Sequence, residues 1–504
     1  MHLFSPPDTS EWIKFLLVLF GLGTFVVVAE LIRKALRWSP EVTRKLVHIA
    51  TGILICFAPQ LFQSGIPAIL LAIIFIVVNY AAIRLGLLKG MHGTNRRSYG
   101  TVYYPLSFLI LVLLFWDSFP QIITISILVL ALSDAAAAIV GENISVPHIY
   151  NLTSDRKSIE GSIAMFVTTF IVVGALLFAS AQLDVYPAFN LNRPAMIVLI
   201  ALSSSLFATA WEAISSKGLD NLTIPLSVAF VLDYVLVGLP HHHNEQFLVG
   251  IALALAFAAA SYALRFLSAS GSVGTFLLAT IVFGVGGWQW TVPILTFFLL
   301  SSLLSKLGKE RKAHFHLMFE KTDTRDAGQV AANGGVAGLL MLCWYFFPEK
   351  NLWYPMYLAS LAAVTADTWG TEIGLFAKAS PRSIISFKRV ETGTSGAVSF
   401  AGIAGGALGA LLLALSGSFW LEAGQIFSFF VKIILCGLAG SLADSLLGAS
   451  VQAQFQCAVC KKITERVHHC GEETTLVSGA RWMNNDAVNF ACAIAGAGLM
   501  LILS

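Results

Sequence analysis

The sequence predicts an all-α, polytopic helical membrane protein with about 16 transmembrane helices. Hydrophobic residues make up 57% of the 504 residues and charged residues only 12%, and the mean hydropathy is +0.78. Soluble domains do not combine this hydropathy with so few charges. Apolar stretches also recur along the whole chain at about 20 residues each, the length that crosses a bilayer as a helix.

Each predicted span is an apolar stretch bounded by charged or turn residues. The approximate centres are residues 22, 55, 74, 110, 128, 170, 204, 231, 257, 280, 298, 338, 361, 406, 437 and 494. The outer loop at 240–246 divides these spans into two sets of about eight. We therefore predict two similar eight-helix modules in parallel orientation, residues 1–240 and 246–504.

The distribution of basic residues predicts the sidedness. With residue 1 outside, 27 of the 31 Lys and Arg residues fall in inner loops, and only Lys14, Arg193, Lys350 and Lys432 lie on or near the outer face. Cytoplasmic loops carry an excess of Lys and Arg, so the basic loops are predicted to be cytoplasmic and both termini outside. The net charge of +3 gives no reason to expect a nucleic-acid partner.

Both halves carry an acidic residue within an apolar stretch, followed by similar motifs. Asp134 precedes Gly141 and the loop DRKSIEGS, and Asp367 precedes Gly374 and the loop FKRVETGTSG. An acid in a membrane helix is costly unless it meets a cation, and basic, glycine-rich loops bind phosphate. We therefore predict two magnesium–phosphate sites, from a duplication or from a fusion of two distantly related modules.

The first half has basic motifs ahead of Asp134. Arg44, Lys45 and His48 open a helix, with Arg44 and His48 four residues apart on one face. Arg97 precedes a Gly–Thr turn and an aromatic-rich helix. These residues suit phosphate oxygens, although each motif alone also fits membrane-interface anchoring.

Five motifs of the first half, RKLVH, RRSYGTVYYP, SDAAAAIVG, KSIEGS and WEAISSKGLDNLTIP, stand in the order found in the polyprenol kinase group. Residues 40–235 resemble this group, and phytol kinase more closely than dolichol kinase. The resemblance implies a CTP-dependent lipid-alcohol kinase, with Asp134 as metal or catalytic carboxylate and Lys157 as phosphate ligand. It also implies a polar site completed by Glu160, Glu212, Asp220 and Asn221.

Residue chemistry agrees with that role. Phosphoryl transfer requires positioning and charge neutralisation, and Mg²⁺ takes one or two carboxylates plus nucleotide oxygens. Asp134 with Glu160 or Glu212 is the expected carboxylate set, and a carboxylate near the acceptor hydroxyl can act as general base.

The second half contains DAGQVAANGG, ADTWGTEIG, PRSIISFKRVETGTSGAVS, GSLADSLLGASVQ and NNDAVN in this order. Residues 250–503 resemble the integral membrane family that includes phytyl-phosphate kinase, which implies conversion of a prenyl monophosphate to the diphosphate. The resemblance implies Asp367, Glu372 and Asp444 as acids facing Mg²⁺, with Asp367 and Asp444 catalytic. The implied phosphate, nucleotide or polar ligands are Arg325, Asn333, Lys388, Arg389, Thr394, Ser395, Gln452, Asn485 and Asn489.

Helix geometry puts a condition on this acid set. Glu372 follows Asp367 by five residues, so the two side chains point about 140° apart around a helix. They converge only with a break near Gly370; otherwise Glu372 faces elsewhere.

The cysteines do not indicate a disulfide framework. Cys56, Cys343, Cys436 and Cys492 lie in apolar spans and are expected to pack there. Cys457, Cys460, His469 and Cys470 share an inner loop, and three cysteines with one histidine can bind a structural Zn²⁺. Reduced free thiols are the alternative, because the spacing differs from common zinc fingers.

We therefore expect a bifunctional prenol salvage enzyme. CTP phosphorylates a prenol such as phytol or geranylgeraniol in the first half, and CTP or another nucleotide supplies the second phosphate. One alternative is a phosphatidate cytidylyltransferase-like enzyme forming a CDP-lipid. The other is a secondary transporter for an anionic or phosphorylated solute, which duplicated halves with intramembrane acids also fit.

Overall fold

A computed structural model describes residues 2–37, 40–86, 98–182, 194–237, 244–307, 324–376, 380–421 and 426–504. The chain forms two compact units, Met1–Asn244 and Glu245–Ser504. Arg97 and the histidines at 241–243 lie outside the described residues.

The first unit is built from nine described helices. They are α1 (Thr9–Leu36), α2 (Pro40–Ile55), α3 (Ala58–Leu61), α4 (Ile66–Leu85), α5 (Gly100–Phe115), α6 (Pro120–Asn143), α7 (Ile159–Gln182), α8 (Pro194–Ile214) and α9 (Asp220–Leu232), the last continued by a π-helix (Asp233–Val237). A two-stranded antiparallel hairpin, β1 (Ile149–Tyr150) with β2 (Lys157–Ser158), connects α6 to α7.

The second unit repeats this plan with an insertion. Its described helices are α10 (Asn244–Ala263), α11 (Ala269–Leu307), α12 (Ala327–Phe346), α13 (Trp353–Phe376), α14 (Phe400–Gly417), α15 (Ile426–Ser450) and α16 (Asn485–Leu503). The antiparallel pair β3 (Arg382–Ser383) and β4 (Ala397–Val398) connects α13 to α14. Between α15 and α16 lie β5 (Gln454–Gln456), β6 (Ile463–Thr464), β7 (His468–His469), β8 (Glu472–Glu473) and β9 (Thr475–Ser478).

The all-α polytopic prediction is confirmed. Among the described residues, 13 helices are long and apolar enough to cross a membrane. The predicted count of about 16 is larger for three reasons. α5 is apolar but shorter than 18 residues, α13 carries the polar run ADTWGTE, and the two segments of α11 are counted as one helix.

α11 covers 39 residues as two helical segments that meet at a kink at Gly287, where φ is 61° and ψ is −155°, in agreement with the two spans predicted here. Glycine tolerates this left-handed conformation because it has no Cβ. The Gln246 side-chain amide donates to the carbonyls of Phe283 and Gly284, each at 3.1 Å. It therefore satisfies backbone groups near the interruption, as a membrane segment requires.

The helix that carries the predicted acid lies in the core of each unit. In the second unit every residue of α13 from Tyr357 to Ala366 is buried, and the helix packs against α12, α14, α15 and α16. In the first unit α6 packs against α2, α7 and α9. Alanine, serine and glycine dominate these helices around the acids, and small residues permit close helix packing.

Candidate functional site

The first unit contains a buried ion cluster around Lys157, at the start of α7. The ammonium Nζ lies 2.8 Å from Glu212 Oε1 and 3.4 Å from Asp220 Oδ2. Burial lowers the pKa of Lys157, but the charges of Asp220 and Glu212 outweigh it and raise the pKa above its usual value. Lys157 is therefore a permanent cation that neutralises two predicted site acids.

Asp134 lies beside this cluster and contacts a histidine on α2. His48 Nε2 lies 3.7 Å from Asp134 Oδ2 and 3.2 Å from the Leu130 carbonyl oxygen, and the His48 ring stacks on Tyr104 at 4.6 Å. A carbonyl oxygen can only accept, so neutral His48 carries its proton on Nε2. Its Nδ1 then holds the lone pair that can accept a hydrogen bond.

An apolar cavity of about 210 Å³ adjoins His48 and is lined by α1, α2, α4, α5 and the start of α9. Side chains such as Leu22, Leu71, Phe75 and Phe108 form most of its wall. The polar residues that line it are Arg44, His48, Thr51, Asn79, Thr101, Tyr104 and Asn221. The cavity thus combines a long apolar wall with a small group of polar atoms, the usual composition of a lipid-like ligand site.

Two predicted site residues of the first unit have other partners. Glu160 accepts from the backbone N–H of His148 and lies 2.6 Å from its Nδ1. Lys45 pairs with Glu142, an exposed side chain of α6. The structure therefore does not bring Glu160 together with Asp134, whereas Glu212 joins the cluster.

The second unit contains a polar cavity of about 280 Å³ between α13, α14, α15 and α16. Eight predicted site residues line it: Asp367, Glu372, Thr394, Ser395, Asp444, Gln452, Asn485 and Asn489. Backbone and small side chains of the Gly393–Gly396 turn form one wall. Most of the predicted second site is therefore assembled in one place.

Asp367 and Asp444 interact electrostatically across this cavity, and Asp444 also interacts with Glu465. Ser441 hydrogen-bonds Asp367, and Ser395 Oγ donates to Glu465 Oε1 at 2.7 Å. Asp444 Oδ2 is buried and has no hydrogen-bond partner among the described residues. Three neighbouring carboxylates with an unpartnered oxygen fit a hard cation such as Mg²⁺, which prefers oxygen ligands.

Glu372 is held away from this pair. α13 remains helical through Gly370, so the break that would turn Glu372 towards Asp367 does not occur. Ser305 Oγ donates to Glu372 Oε1 at 2.5 Å, and Arg325 interacts with Glu372 electrostatically. The sequence allowed either a break that joins Glu372 to Asp367 or a continuous helix with Glu372 facing elsewhere. The structure shows the continuous helix.

Arg325 and Asn333 line a separate apolar cavity of about 70 Å³ between α10, α11 and α12. The Arg325 guanidinium lies 5.3 Å from the ring centres of Phe297 and Phe298, and burial lowers its pKa to about 10. Like the first unit's cavity, this one has an apolar wall with a buried arginine and an amide.

Lys388 and Arg389 are exposed, and neither belongs to the described lining of the 280 Å³ cavity. They sit in a tight turn between β3 and β4, where the Ser383 N–H donates to the Lys388 carbonyl at 3.0 Å. The two basic residues are therefore not placed to hold a phosphate in this conformation.

In each unit, the helix that carries the acid makes a close contact with a glycine at the start of the next helix. In the first, a Cβ added to Gly161 would meet the Ala137 carbonyl oxygen at 3.0 Å and Ser158 Oγ at 3.0 Å. In the second, a Cβ on Gly402 would meet the Gly370 carbonyl oxygen at 3.0 Å. Ala137 and Gly370 each follow the acid by three residues.

Serine caps both following helices. Ser158 Oγ accepts from the Gly161 N–H at 3.1 Å, and Ser399 Oγ accepts from the Gly402 N–H at 3.0 Å. Ser158 therefore corresponds to Ser399, and Lys157 corresponds to Val398. The sequence comparison paired Lys157 with Lys388 and Arg389; the structure corrects that pairing, because those residues precede the equivalent position by about ten residues.

Sequence reasoning missed three residues of these sites. Asn79 lies on an apolar helix, and its side-chain amide donates to the Thr101 carbonyl at 2.9 Å. A single amide within an apolar span could have indicated a site residue. Ser441 lies three residues before Asp444, on the same face of α15. Glu465 lies in a loop rich in charges, where no pattern distinguishes it.

Comparisons with known proteins place the chain in a family. Residues 252–497 match the family described as integral membrane protein DUF92. Protein PGR of Arabidopsis thaliana is 30% identical over 266 residues, 48% of this chain and 91% of that protein. Phytol kinase of Synechocystis sp. is 31% identical over 228 residues, 45% of this chain and 93% of that protein.

Farnesol kinase of Arabidopsis thaliana is 31% identical over 205 residues, 38% of this chain and 64% of that protein. No solved structure gives a significant match. The chain belongs to the DUF92 integral membrane family and has kinases of prenyl alcohols among its relatives.

Proposed function

We propose that this protein is a membrane-embedded prenol kinase whose two units carry out two phosphorylations. The first unit transfers the γ-phosphoryl group of CTP to a prenol of the phytol or geranylgeraniol type. The second converts the prenyl monophosphate to the diphosphate, using CTP or another nucleotide. Similarity to phytol kinase and farnesol kinase supports the reaction class. The apolar cavity of the first unit and the polar, acidic cavity of the second support one phosphorylation in each unit.

The apolar cavity of the first unit is the observation that carries this proposal. Its wall of leucine and aromatic side chains suits a prenyl chain, and its polar residues Arg44, His48, Asn79 and Asn221 suit a hydroxyl group and phosphate oxygens. His48 links the cavity to Asp134. A prenol bound with its chain along the wall would place its hydroxyl near the acids and Lys157.

The first reaction needs an oxygen nucleophile, a proton acceptor and a neutralised phosphate chain. The prenol oxygen forms a bond to the γ-phosphorus while the bond from that phosphorus to the CDP oxygen breaks. The hydroxyl proton passes to His48 Nδ1 or to the Asp134 carboxylate. Lys157 would neutralise charge on the transferring group, and Asp134 and Asp220 would hold a Mg²⁺ ion that supplies further positive charge for the nucleotide phosphates.

In the second unit the acceptor is already a phosphate, so the site must tolerate more negative charge. Asp367 and Asp444 would hold Mg²⁺, which would screen the two phosphate groups from each other. The Gly393–Gly396 turn and the amides of Asn485 and Asn489 line the cavity and would donate hydrogen bonds to phosphate oxygens. The Thr394 N–H is excluded, because it already donates to the Glu391 carbonyl. The apolar cavity beside Arg325 would take the prenyl chain.

We further propose that both sites face the cytoplasm, where the nucleotide is present. The excess of Lys and Arg in the predicted inner loops supports this sidedness. On the same basis both termini are proposed to lie outside.

The test uses purified full-length protein in detergent with geranylgeraniol, Mg²⁺ and CTP labelled at either the α- or the γ-phosphate. Label from the γ-position is expected in prenyl monophosphate and then in prenyl diphosphate. Label from the α-position in lipid would instead indicate a cytidylyltransferase. Absence of any labelled lipid with phytol, farnesol or geranylgeraniol would refute the kinase proposal and favour transport of an anionic solute.

A further inference from the structure

The segment between α15 and α16 brings together the side chains of Cys457, Cys460, His469 and Cys470. One ligand atom from each lies within 4.8 Å of all the others. Cys460 Sγ lies 3.5 Å and Cys470 Sγ 3.2 Å from His469 Nδ1. Zn–S bonds of about 2.3 Å and a Zn–N bond of about 2.0 Å at tetrahedral angles separate sulfur from nitrogen by about 3.5 Å. The four groups therefore already have the spacing of a Cys₃His zinc centre.

The first half of this cluster is a tight turn. The Cys457 N–H donates to the Lys462 carbonyl and the Lys461 N–H donates to the Cys457 carbonyl, each at 3.0 Å. The backbone N–H groups of Cys460 and Val459 hydrogen-bond the Cys457 sulfur. The backbone therefore folds around this sulfur and holds Cys457 and Cys460 close together.

The second half adopts a backbone that cysteine rarely takes. Cys470 and Gly471 connect β7 to β8 as a two-residue turn, with φ of 54° and 83°. A two-residue turn with both φ values positive is typically made of Asn-Gly, Asp-Gly or Gly-Gly. The Cβ of any residue other than glycine makes this left-handed region unfavourable. A role of the Cys470 thiol as a metal ligand would explain why cysteine occupies this position.

The three-stranded sheet next to Cys457 and Cys460 also reaches the second unit's cavity. β5 pairs with β6 and β9, and Glu465 directly follows β6. Glu465 Oε1 accepts from Ser395 Oγ at 2.7 Å, and both residues line the polar cavity. Gln452, just before β5, lines it as well. The segment thus forms part of the cavity wall.

We propose that Cys457, Cys460, His469 and Cys470 bind one structural Zn²⁺, and that this ion fixes Glu465 and Gln452 in the wall of the second unit's cavity. The strands of this segment are two to four residues long, and such short strands are not stable alone. A structural zinc ion supplies folding free energy to segments of this kind. The zinc therefore acts on the cavity by ordering its wall, and it does not contact the substrate.

The first test is the metal content of full-length protein purified without chelator. About one Zn²⁺ per chain is expected, and Co²⁺ exchanged into the site should give the visible absorption of tetrahedral cobalt thiolate. Cys460→Ser should lower the zinc content at least tenfold, whereas the matched variant Cys343→Ser, on α12, should retain it. Cys460→His supplies another ligand and should retain zinc even if the serine variant folds poorly. Protein without zinc, or with the three thiols of Cys457, Cys460 and Cys470 all reactive and no cobalt spectrum, would overturn the site.

The second test follows the cavity wall independently of activity. Hydrogen–deuterium exchange is compared before and after zinc removal from the wild-type protein by a chelator. Faster exchange is expected in residues 451–480 and in the 393–399 turn, with no change in the 149–158 hairpin of the first unit. Faster exchange confined to 451–480 would show that zinc orders its own loop alone, and would refute its role in the cavity wall. Neither test depends on the kinase reaction, so failure of the proposed function would leave them intact.

Discussion

Replacement of Lys157 by methionine tests whether this cation neutralises the buried acids of the first unit. Methionine keeps most of the side-chain length while removing the ammonium group. Lys157 is 15% exposed, and its partner Glu212 is 7% exposed. Removing one partner of a buried ion pair leaves an uncompensated charge, so Glu212 and Asp220 would each lose the cation that their burial requires.

The structure sets the size of the expected effect. At 2.8 Å and an effective dielectric constant of about 20, the Lys157–Glu212 attraction is about 6 kcal/mol, most of it offset by desolvation. Breaking a buried pair of this kind costs about 3–5 kcal/mol. Lys157→Met should therefore lower the free energy of unfolding by about that amount, and Lys157→Met with Glu212→Gln should recover about half of it.

A matched control exists in the same unit. Lys45 pairs with Glu142 at 2.5 Å, but the Glu142 side chain is 54% exposed, and exposed pairs contribute about 0–1 kcal/mol. Unfolding in mixed detergent micelles, followed by circular dichroism, would compare Lys45→Met with Lys157→Met. Equal stability of these two variants, or no recovery with Glu212→Gln, would show that the acids are held by something other than the ammonium group.

Three further outcomes are expected. Asp134→Asn should abolish prenol phosphorylation but leave conversion of added prenyl monophosphate intact, and Asp367→Asn should do the reverse; loss of both activities by either folded variant would contradict two separate sites. Ala72→Phe narrows the apolar cavity of the first unit and should lower kcat/KM for geranylgeraniol about tenfold, with a smaller loss for farnesol; equal losses would argue against chain binding there. Gly402→Ala forces a Cβ to 3.0 Å from a carbonyl oxygen and should cost about 1–3 kcal/mol in thermal unfolding, whereas Gly498→Ala, with nothing within 4 Å, should cost none.

The sequence predicted the membrane helices well because hydropathy alone determines which segments enter a bilayer. Every predicted span centre lies within a described helix, including the two that α11 joins across Gly287. The short strands were not predicted. Hairpins such as β1–β2 have two residues on each side, which is too few to show an alternating pattern.

Site residues were predictable to the extent that they are polar within apolar helices. Asp134, Asp367 and Asp444 stand out for that reason, and the structure places each beside a cavity or an ion cluster. Loop residues were not predictable in the same way, since charge is ordinary in a loop. Glu160 therefore looked like a site acid and pairs with His148, while Glu465 looked ordinary and lines a cavity.

The position shared by Lys157 and Val398 shows how the two units differ in chemistry. Both lie on the second strand of the short hairpin and directly precede a capping serine. In the first unit this position supplies an internal cation to the neighbouring acids. In the second it supplies an apolar side chain, and Asp444 Oδ2 is left without a hydrogen-bond partner among the described residues. Two carboxylates in proximity then require an external cation. The proposed function therefore predicts that activity of the second unit depends more steeply on Mg²⁺ than activity of the first.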